Sequence, residues 1–466
     1  MSAKNTGNPN RLVNEAPTVI GMMSAVIERG GSIDTAVRDV ADNGPEKSAK
    51  MFRDIVIKAD TRQIPDISGG LSEMLSGVPS EAVAYKRAVH MAMAASVSSD
   101  RPERERMLTS ASEISLSGLK DIGERYSTSL NIPCMMIFGL GIMVPMVLMS
   151  ILPMLNIGGI FGNSPIGSGP ITIVTLVLIP AAMTLAIVSV REKNPFAGPS
   201  GKTDVRYIFP IMLIVPSAAV CFIVTGDIRI SVMAAAGVTG AASLAVAMPY
   251  VNREKTREKQ EAALQDSVFE LGSRLISGEN YETAVTAAVG SKPECLAISE
   301  DVSAGLRMCR GDVCSAINSS VGKVSSRISD VLCDVYRCST KDARDAGRLA
   351  VSVGRQLQDQ DAVRRGIKTK LKSMTDMMVG TAAVFAPLVL GMSVTMLNPI
   401  SKVMDGVDLG NTSAIISVYL IELCALISVL TSLLGGKTDV RDIMYRLGAM
   451  LPVSMAVFAL CSAVSL

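Results

Sequence analysis

The chain has 466 residues, 48% of them hydrophobic but only 4% aromatic, with 28 Met and no Trp. A formal net charge of +2, with no basic tract interleaved with aromatics, gives no nucleic-acid-binding signal. Charge is strongly sorted: residues 1–132 carry 16 Lys/Arg and 17 Asp/Glu, residues 252–375 carry 20 and 17, and the other 210 carry nine of each. That pattern excludes an ordinary soluble protein and fits a membrane protein with cytoplasmic domains.

Residues 1–14 are polar and Asn-rich and read as a disordered tail. From there to residue 132 the pattern is that of a cytoplasmic helical domain. An amphipathic helix over 15–29 carries Val19, Ile20, Met22, Met23, Val26 and Ile27 on one face. Gly30-Gly31 stops it, and Ser32 N-caps a second helix through Ala36, Val37, Val40 and Ala41. Further helices are predicted at 46–61, 80–97 and 103–129. No alternating strand pattern is visible.

Residues 132–190 contain no charged side chain and are too long for one crossing. A Gly/Pro/Asn/Ser-rich stretch at 156–169 divides them into spans near 133–155 and 170–190, and two more spans follow near 207–225 and 230–250. These make a membrane block over 133–251. A second polar helical domain covers 252–375, and a second membrane block, 376–466, has spans near 377–397, 413–434 and 447–465. The predicted fold class is therefore an all-α integral membrane protein with about seven spans. Lys/Arg are enriched in the 191–206 loop and before residue 377, and scarce in the opposite loops. By that bias the N-terminus and both polar domains face the cytoplasm, as expected in a multi-pass protein of the cell membrane.

Two internal repeats tie the halves together. Gly201-Lys202-Thr203-Asp204-Val205-Arg206 returns unchanged as Gly436-Lys437-Thr438-Asp439-Val440-Arg441. Gly30–Val37 aligns with Gly278–Val285, each a helix stop followed by an acid-Thr-Ala-Val helix start. Four predicted spans separate the hexapeptides, so both copies emerge on the same side, as a parallel duplication.

Gly-Lys-Thr invites a phosphate-loop reading, but Phe196 and Thr431 occupy the positions where that loop needs its first Gly. The hexapeptides read instead as cytoplasmic loops in which Asp204 and Asp439 cap helix starts. Lys202, Arg206, Lys437 and Arg441 there either face a partner or anchor at lipid headgroups. Glu422 stands alone in the sixth predicted span, and an intramembrane carboxylate is a candidate functional group. Its counterpart in the first half is Ile187.

Cys309/Cys314 and Cys333/Cys338 have spacing that does not match a zinc site, and buried thiols are expected. His90, the one His, is expected to pack within its helix. No catalytic, cofactor-binding or metal-binding set emerges.

With these features in view, the chain resembles the F-family membrane platform proteins of type II secretion and type IV pilus machines, most of all the archaeal branch that serves archaella and archaeal pili. The resemblance rests on the duplicated Gly-stop helix pair and the alternation of polar bundle and membrane block. It implies a protein without enzymatic activity in the membrane lipid, contacting a hexameric secretion ATPase and pilin-like subunits, with no nucleic-acid partner. A homodimer is compatible with it. The competing expectation is a transporter or channel built from a parallel repeat, for which Glu422 is the supporting feature.

Overall fold

The computed structural model describes residues 10–145, 147–148, 173–194, 228–308, 311–403, 409–435 and 439–463. Every regular element among them is a helix. The chain divides into two compact units, one of Met1–Glu124 with Glu254–Ile367, the other of Arg125–Arg253 with Lys368–Leu466.

In the first unit, α1 runs Asn10–Glu28 and buries Leu12, Val13, Ala16, Val19, Ile20, Met23, Val26 and Ile27. The helix thus begins within the segment expected to be a disordered tail. Leu12 and Val13 are 2% and 1% exposed because they continue the same stripe one turn below Ala16; residues 1–9 lie outside the described residues.

Gly30 ends α1 at φ +77°, a left-handed conformation that costs glycine nothing. Its N–H donates to the Ile27 carbonyl (3.0 Å), and the Gly31 N–H to the Val26 carbonyl (3.0 Å). Two orphan carbonyls are satisfied in this way. The Ser32 Oγ then accepts the Thr35 N–H at 3.2 Å and caps α2, Ile33–Asn43. Three helices follow: α3 (Glu46–Asp60), α4 (Ile67–Ser76) and α5 (Val83–Val97), the last entered through the 3-10 turn Ser80–Ala82. α6 is long, Arg101–Ser129.

The second polar segment belongs to the same unit. α9, Ile228–Ile276, begins in the second unit and ends in the first. Its stop is Gly278 at φ +93°, whose N–H donates to the Leu275 carbonyl (3.0 Å), while the Glu279 N–H reaches the Arg274 carbonyl (3.2 Å). Next come α10 (Tyr281–Gly290), the 3-10 turn Pro293–Cys295, α11 (Leu296–Met308) and α12 (Val313–Ser320). The 3-10 turn Val321–Lys323, α13 (Ser326–Ser339) and α14 (Ala343–Gly380) complete the segment. Each segment has its own apolar core, the first around Phe52, Leu71 and Tyr85, the second around Leu271, Tyr281 and Leu332.

The second unit begins with α7, Asn131–Phe138, which widens into a π turn at Gly139–Met143. A second π turn, Val174–Leu178, leads into α8, Ile179–Lys193. α14 continues through a third, Thr381–Phe385, into α15, Ala386–Val403. α16 (Leu409–Leu434) and α17 (Val440–Ala463) finish the chain.

Five described stretches are long and apolar enough to cross a membrane: Val174–Arg191, Ser231–Ile276, Ala343–Thr395, Ser413–Leu434 and Val440–Ala463. They suggest a multi-pass membrane protein. The span expected near 207–225, and the end of that expected at 133–155, lie outside the described residues. Large apolar side chains such as Met135, Leu185 and Leu460 are about 70% exposed, as lipid-facing positions would be.

Glycines set the closest helix contacts in each unit. In the first, a Cβ on Gly347 would lie 2.7 Å from Ile276 Cγ1 and 2.8 Å from the Gly272 carbonyl oxygen, so α9 and α14 touch backbone to backbone. In the second, a Cβ on Gly448 would lie 2.7 Å from the Leu244 nitrogen and 2.9 Å from the Gly240 oxygen. Gly347→Ala is therefore expected to destabilise by about 1–3 kcal/mol through overpacking. Gly69→Ala, with nothing within 4 Å of its Cβ, should be neutral or stabilising. Denaturation midpoints of the full-length protein in detergent measure both.

Candidate functional site

The first hexapeptide, with Lys202, Asp204 and Arg206, lies outside the described residues, as do Gly436, Lys437 and Thr438 of the second. The remainder of the second copy has a defined geometry at the start of α17. Asp439 Oδ1 accepts the Arg441 N–H at 3.4 Å, and the Asp439 carbonyl accepts the N–H groups of Asp442 (3.1 Å) and Ile443 (3.3 Å). The predicted cap is therefore present. The other carboxylate oxygen accepts the Tyr250 hydroxyl at 2.9 Å, and the Arg441 guanidinium sits 4.8 Å above the Tyr250 ring. Acid, cation and ring form one half-buried cluster, in which the Arg441 charge faces the ring rather than standing clear.

Sequence reasoning missed Tyr250. The available signal was its place: an aromatic at the end of an apolar run, just before Arg253, where interfacial rings concentrate. Nearby, Asn194, which precedes the first hexapeptide, donates its Nδ2 to the carbonyl of Leu433, which precedes the second, at 2.8 Å. The approaches to the two copies are thus in contact.

Glu422 lies on α16, with its Oε2 buried and without a hydrogen-bond partner among the described residues. One turn earlier, Tyr419 donates its hydroxyl to the carbonyl of Gly141, inside the π turn of α7. A Cβ on Gly141 would meet Leu423 Cδ1 and Met183 Cε, each at 3.1 Å, so α7, α8 and α16 converge there. Phe138, the last residue of α7, and Phe385, the last of the π turn that precedes α15, stack at 6.3 Å and 25°.

Two expectations about individual residues change. His90 is exposed on α5, because the buried stripe runs through Tyr85, Ala88, Val89 and Ala92 and leaves position 90 outside it. Of the four thiols expected to be buried, Cys333 is buried and donates its S–H to the Cys314 carbonyl at 3.8 Å, Cys314 and Cys338 are half-buried, and Cys309 lies outside the described residues. Burial pushes the Cys295 and Cys333 thiols up, to about 11 and about 12. Both are therefore protonated packing groups.

A titratable group that the sequence reading passed over lies in the joint between the two polar segments. Glu28, the last residue of α1, accepts a hydrogen bond from Ser352 Oγ of α14 at 3.0 Å. Burial raises its carboxyl to about 7, opposed by the Ser352 hydrogen bond and by Arg101, and aided by Glu105. No family model, curated protein or solved structure matches the chain.

Because the folded carboxyl holds its proton more tightly than the unfolded one, its contribution to stability is complete below about 4.5. It is lost as pH rises through about 7. Glu28→Gln, which keeps an acceptor for Ser352 and cannot ionise, is expected to gain about 2–3 kcal/mol relative to the parent between pH 5 and pH 8.5. Paired denaturation series at the two pH values check this; an unchanged difference would show that Glu28 titrates normally.

Proposed function

We propose that the chain is a membrane platform of a type IV pilus-like machine, serving an archaellum, a pilus or a type II secretion-like system. In this reading it couples a cytoplasmic secretion ATPase to the insertion or extraction of pilin-like subunits and does no chemistry of its own. The observation that carries it is the similar order of elements in the two polar segments, which we read as a duplication. Both polar segments present a helix, a left-handed glycine stop at Gly30 or Gly278, two helices (joined in the second segment by an additional 3-10 turn, Pro293–Cys295), a short helix, a 3-10 turn, a helix and a final long helix. The positions buried on the second helix also coincide: Ala36, Val37, Val40 and Ala41 against Ala284, Val285, Ala288 and Val289. A sequence repeat with the same backbone geometry and the same buried face is what a duplicated domain predicts.

Each polar segment leads through a long helix, α6 or α14, towards apolar helices. The contact between Asn194 and Leu433 supports placing both hexapeptides on one side of the membrane. The positive-inside bias makes that side cytoplasmic. Lys202, Arg206 and Lys437 would then face the ATPase, with Arg441 anchoring the second copy through Tyr250.

A second reading, a transporter or channel built from a parallel repeat, is favoured by one feature, the buried Oε2 of Glu422, which has no hydrogen-bond partner among the described residues. Transport paths generally use several intramembrane ionisable groups, and Glu422 is the one acidic residue within its span.

Replacing Lys202, Arg206, Lys437 and Arg441 together with Ala should leave membrane insertion intact and reduce co-purification of the ATPase by at least tenfold. Undiminished recovery would count against the hexapeptides as the contact. Membrane-impermeant labelling of single cysteines at 202 and 437 should give the same sidedness; opposite sidedness would overturn the parallel duplication.

A further inference from the structure

The two polar segments enclose an open cleft of about 870 Å³ within the first unit. Its walls come from α1 and α6 on one side and from the end of α13 and the start of α14 on the other. Most of its acids are already engaged. Asp345 and Glu105 pair with Arg101 at 3.1 and 3.4 Å. Asp342 Oδ1 accepts the Arg344 N–H at 2.8 Å as the cap of α14. Glu28 is hydrogen-bonded to Ser352 and half-protonated near neutrality. Among the described residues, Asp359 is the one acid in the lining with no such commitment.

Three cations of the lining are without a carboxylate partner among the described residues. Arg104 turns its guanidinium onto the Ser98 carbonyl, at 2.8 and 3.3 Å, from the first segment. Lys341 and Arg355 line the cleft from the second segment, and neither forms an ion pair among the described residues. A fourth, Arg348, is held only loosely, 3.6 Å from an Asp345 already shared with Arg101. Leu108, Leu349, Val351 and Ile276 contribute apolar surface to the same lining.

Cations on opposing walls suit a ligand whose negative groups are separated. Arginine forks match phosphate oxygens two at a time. The space is well beyond one inorganic phosphate and falls in the range of small-molecule sites. We propose that this cleft binds a small molecule carrying two or more phosphate groups on an apolar body, of the size of a nucleoside diphosphate. The ligand bridges Arg104 of one polar segment to Lys341 and Arg355 of the other, and so steadies the joint between them. This site is separate from the hexapeptides and does not depend on the identity of the machine.

The test uses the full-length protein in lipid nanodiscs at 0.15 M salt, where unspecific attraction is screened. The probes for calorimetric titration are ADP, pyrophosphate, orthophosphate and a Glu-rich decapeptide. ADP and pyrophosphate should bind saturably, one per chain, and at least tenfold more tightly than orthophosphate. The pair Arg104→Ala and Arg355→Ala should weaken both at least tenfold, and the milder pair Lys341→Gln and Arg355→Gln should weaken them measurably with an unchanged melting midpoint. Arg38→Ala, remote from the lining, should change nothing. No saturable binding up to millimolar probe, equal loss in Arg38→Ala, or tighter binding of the acidic peptide to the same cations would each overturn the proposal.

Discussion

Where α9 and α14 cross, neither helix has a side chain to interpose. Gly272 faces Gly347, and Gly354 lies against the backbone of Phe269, with a Cβ there only 3.0 Å from its Cα and N. Two helices can approach this closely only if both surfaces are bare, and the approach then fixes their crossing and register. The apolar contacts around it, Leu271 and Leu275 with Leu349 and Leu357, can be made only once that crossing is set. In this unit the driving force is the removal of apolar surface from water, and the glycines decide the geometry in which it happens.

The second unit uses the same device under a different driving force. Helices surrounded by lipid gain nothing from hiding leucine, so close van der Waals contact and side-chain hydrogen bonds must hold them. Gly240 with Pro452, Gly448 with Leu244 and Gly391 with Cys461 supply the close approach. α16 adds a run of small hydroxyls, Ser413, Ser417, Ser428, Thr431 and Ser432, all fully buried. Ser428 reaches across to the Ile443 carbonyl at 2.6 Å. The low aromatic content follows from the same constraint, since large rings would hold such helices apart.

What could be read from the sequence was whatever neighbouring residues decide among themselves. The glycine stops at 30 and 278, the Ser32 cap, the Asp439 cap and the apolar helices depend on residues within one or two turns. What could not be read depends on partners far along the chain. Tyr250 meets Asp439 across 189 positions and Tyr419 meets Gly141 across 278. Arg327, drawn down to about 10 by burial and by Arg364, bonds to Gln360, whose Nε2 in turn donates to the Pro17 carbonyl at 2.8 Å. No spacing rule connects these residues. The early start of α1 was legible in principle, since Leu12 and Val13 keep the helical period, but the polar residues around them masked it.

The joint between the polar segments is built differently from the cores on either side of it. Gln360 on the Pro17 carbonyl, Arg29 on Asp334 at 3.0 Å, Arg101 on Asp345 and Ser352 on Glu28 are polar contacts, several of them partly exposed. Exposed ion pairs of this kind contribute roughly 0–1 kcal/mol each. Such a joint orients two bodies without welding them, and its strength depends on the charge state of the groups in it. The proposed platform function would draw on this division of labour. Apolar cores keep each segment intact under load, and a polar seam between them can yield, or be reinforced, when a charged ligand or a proton arrives.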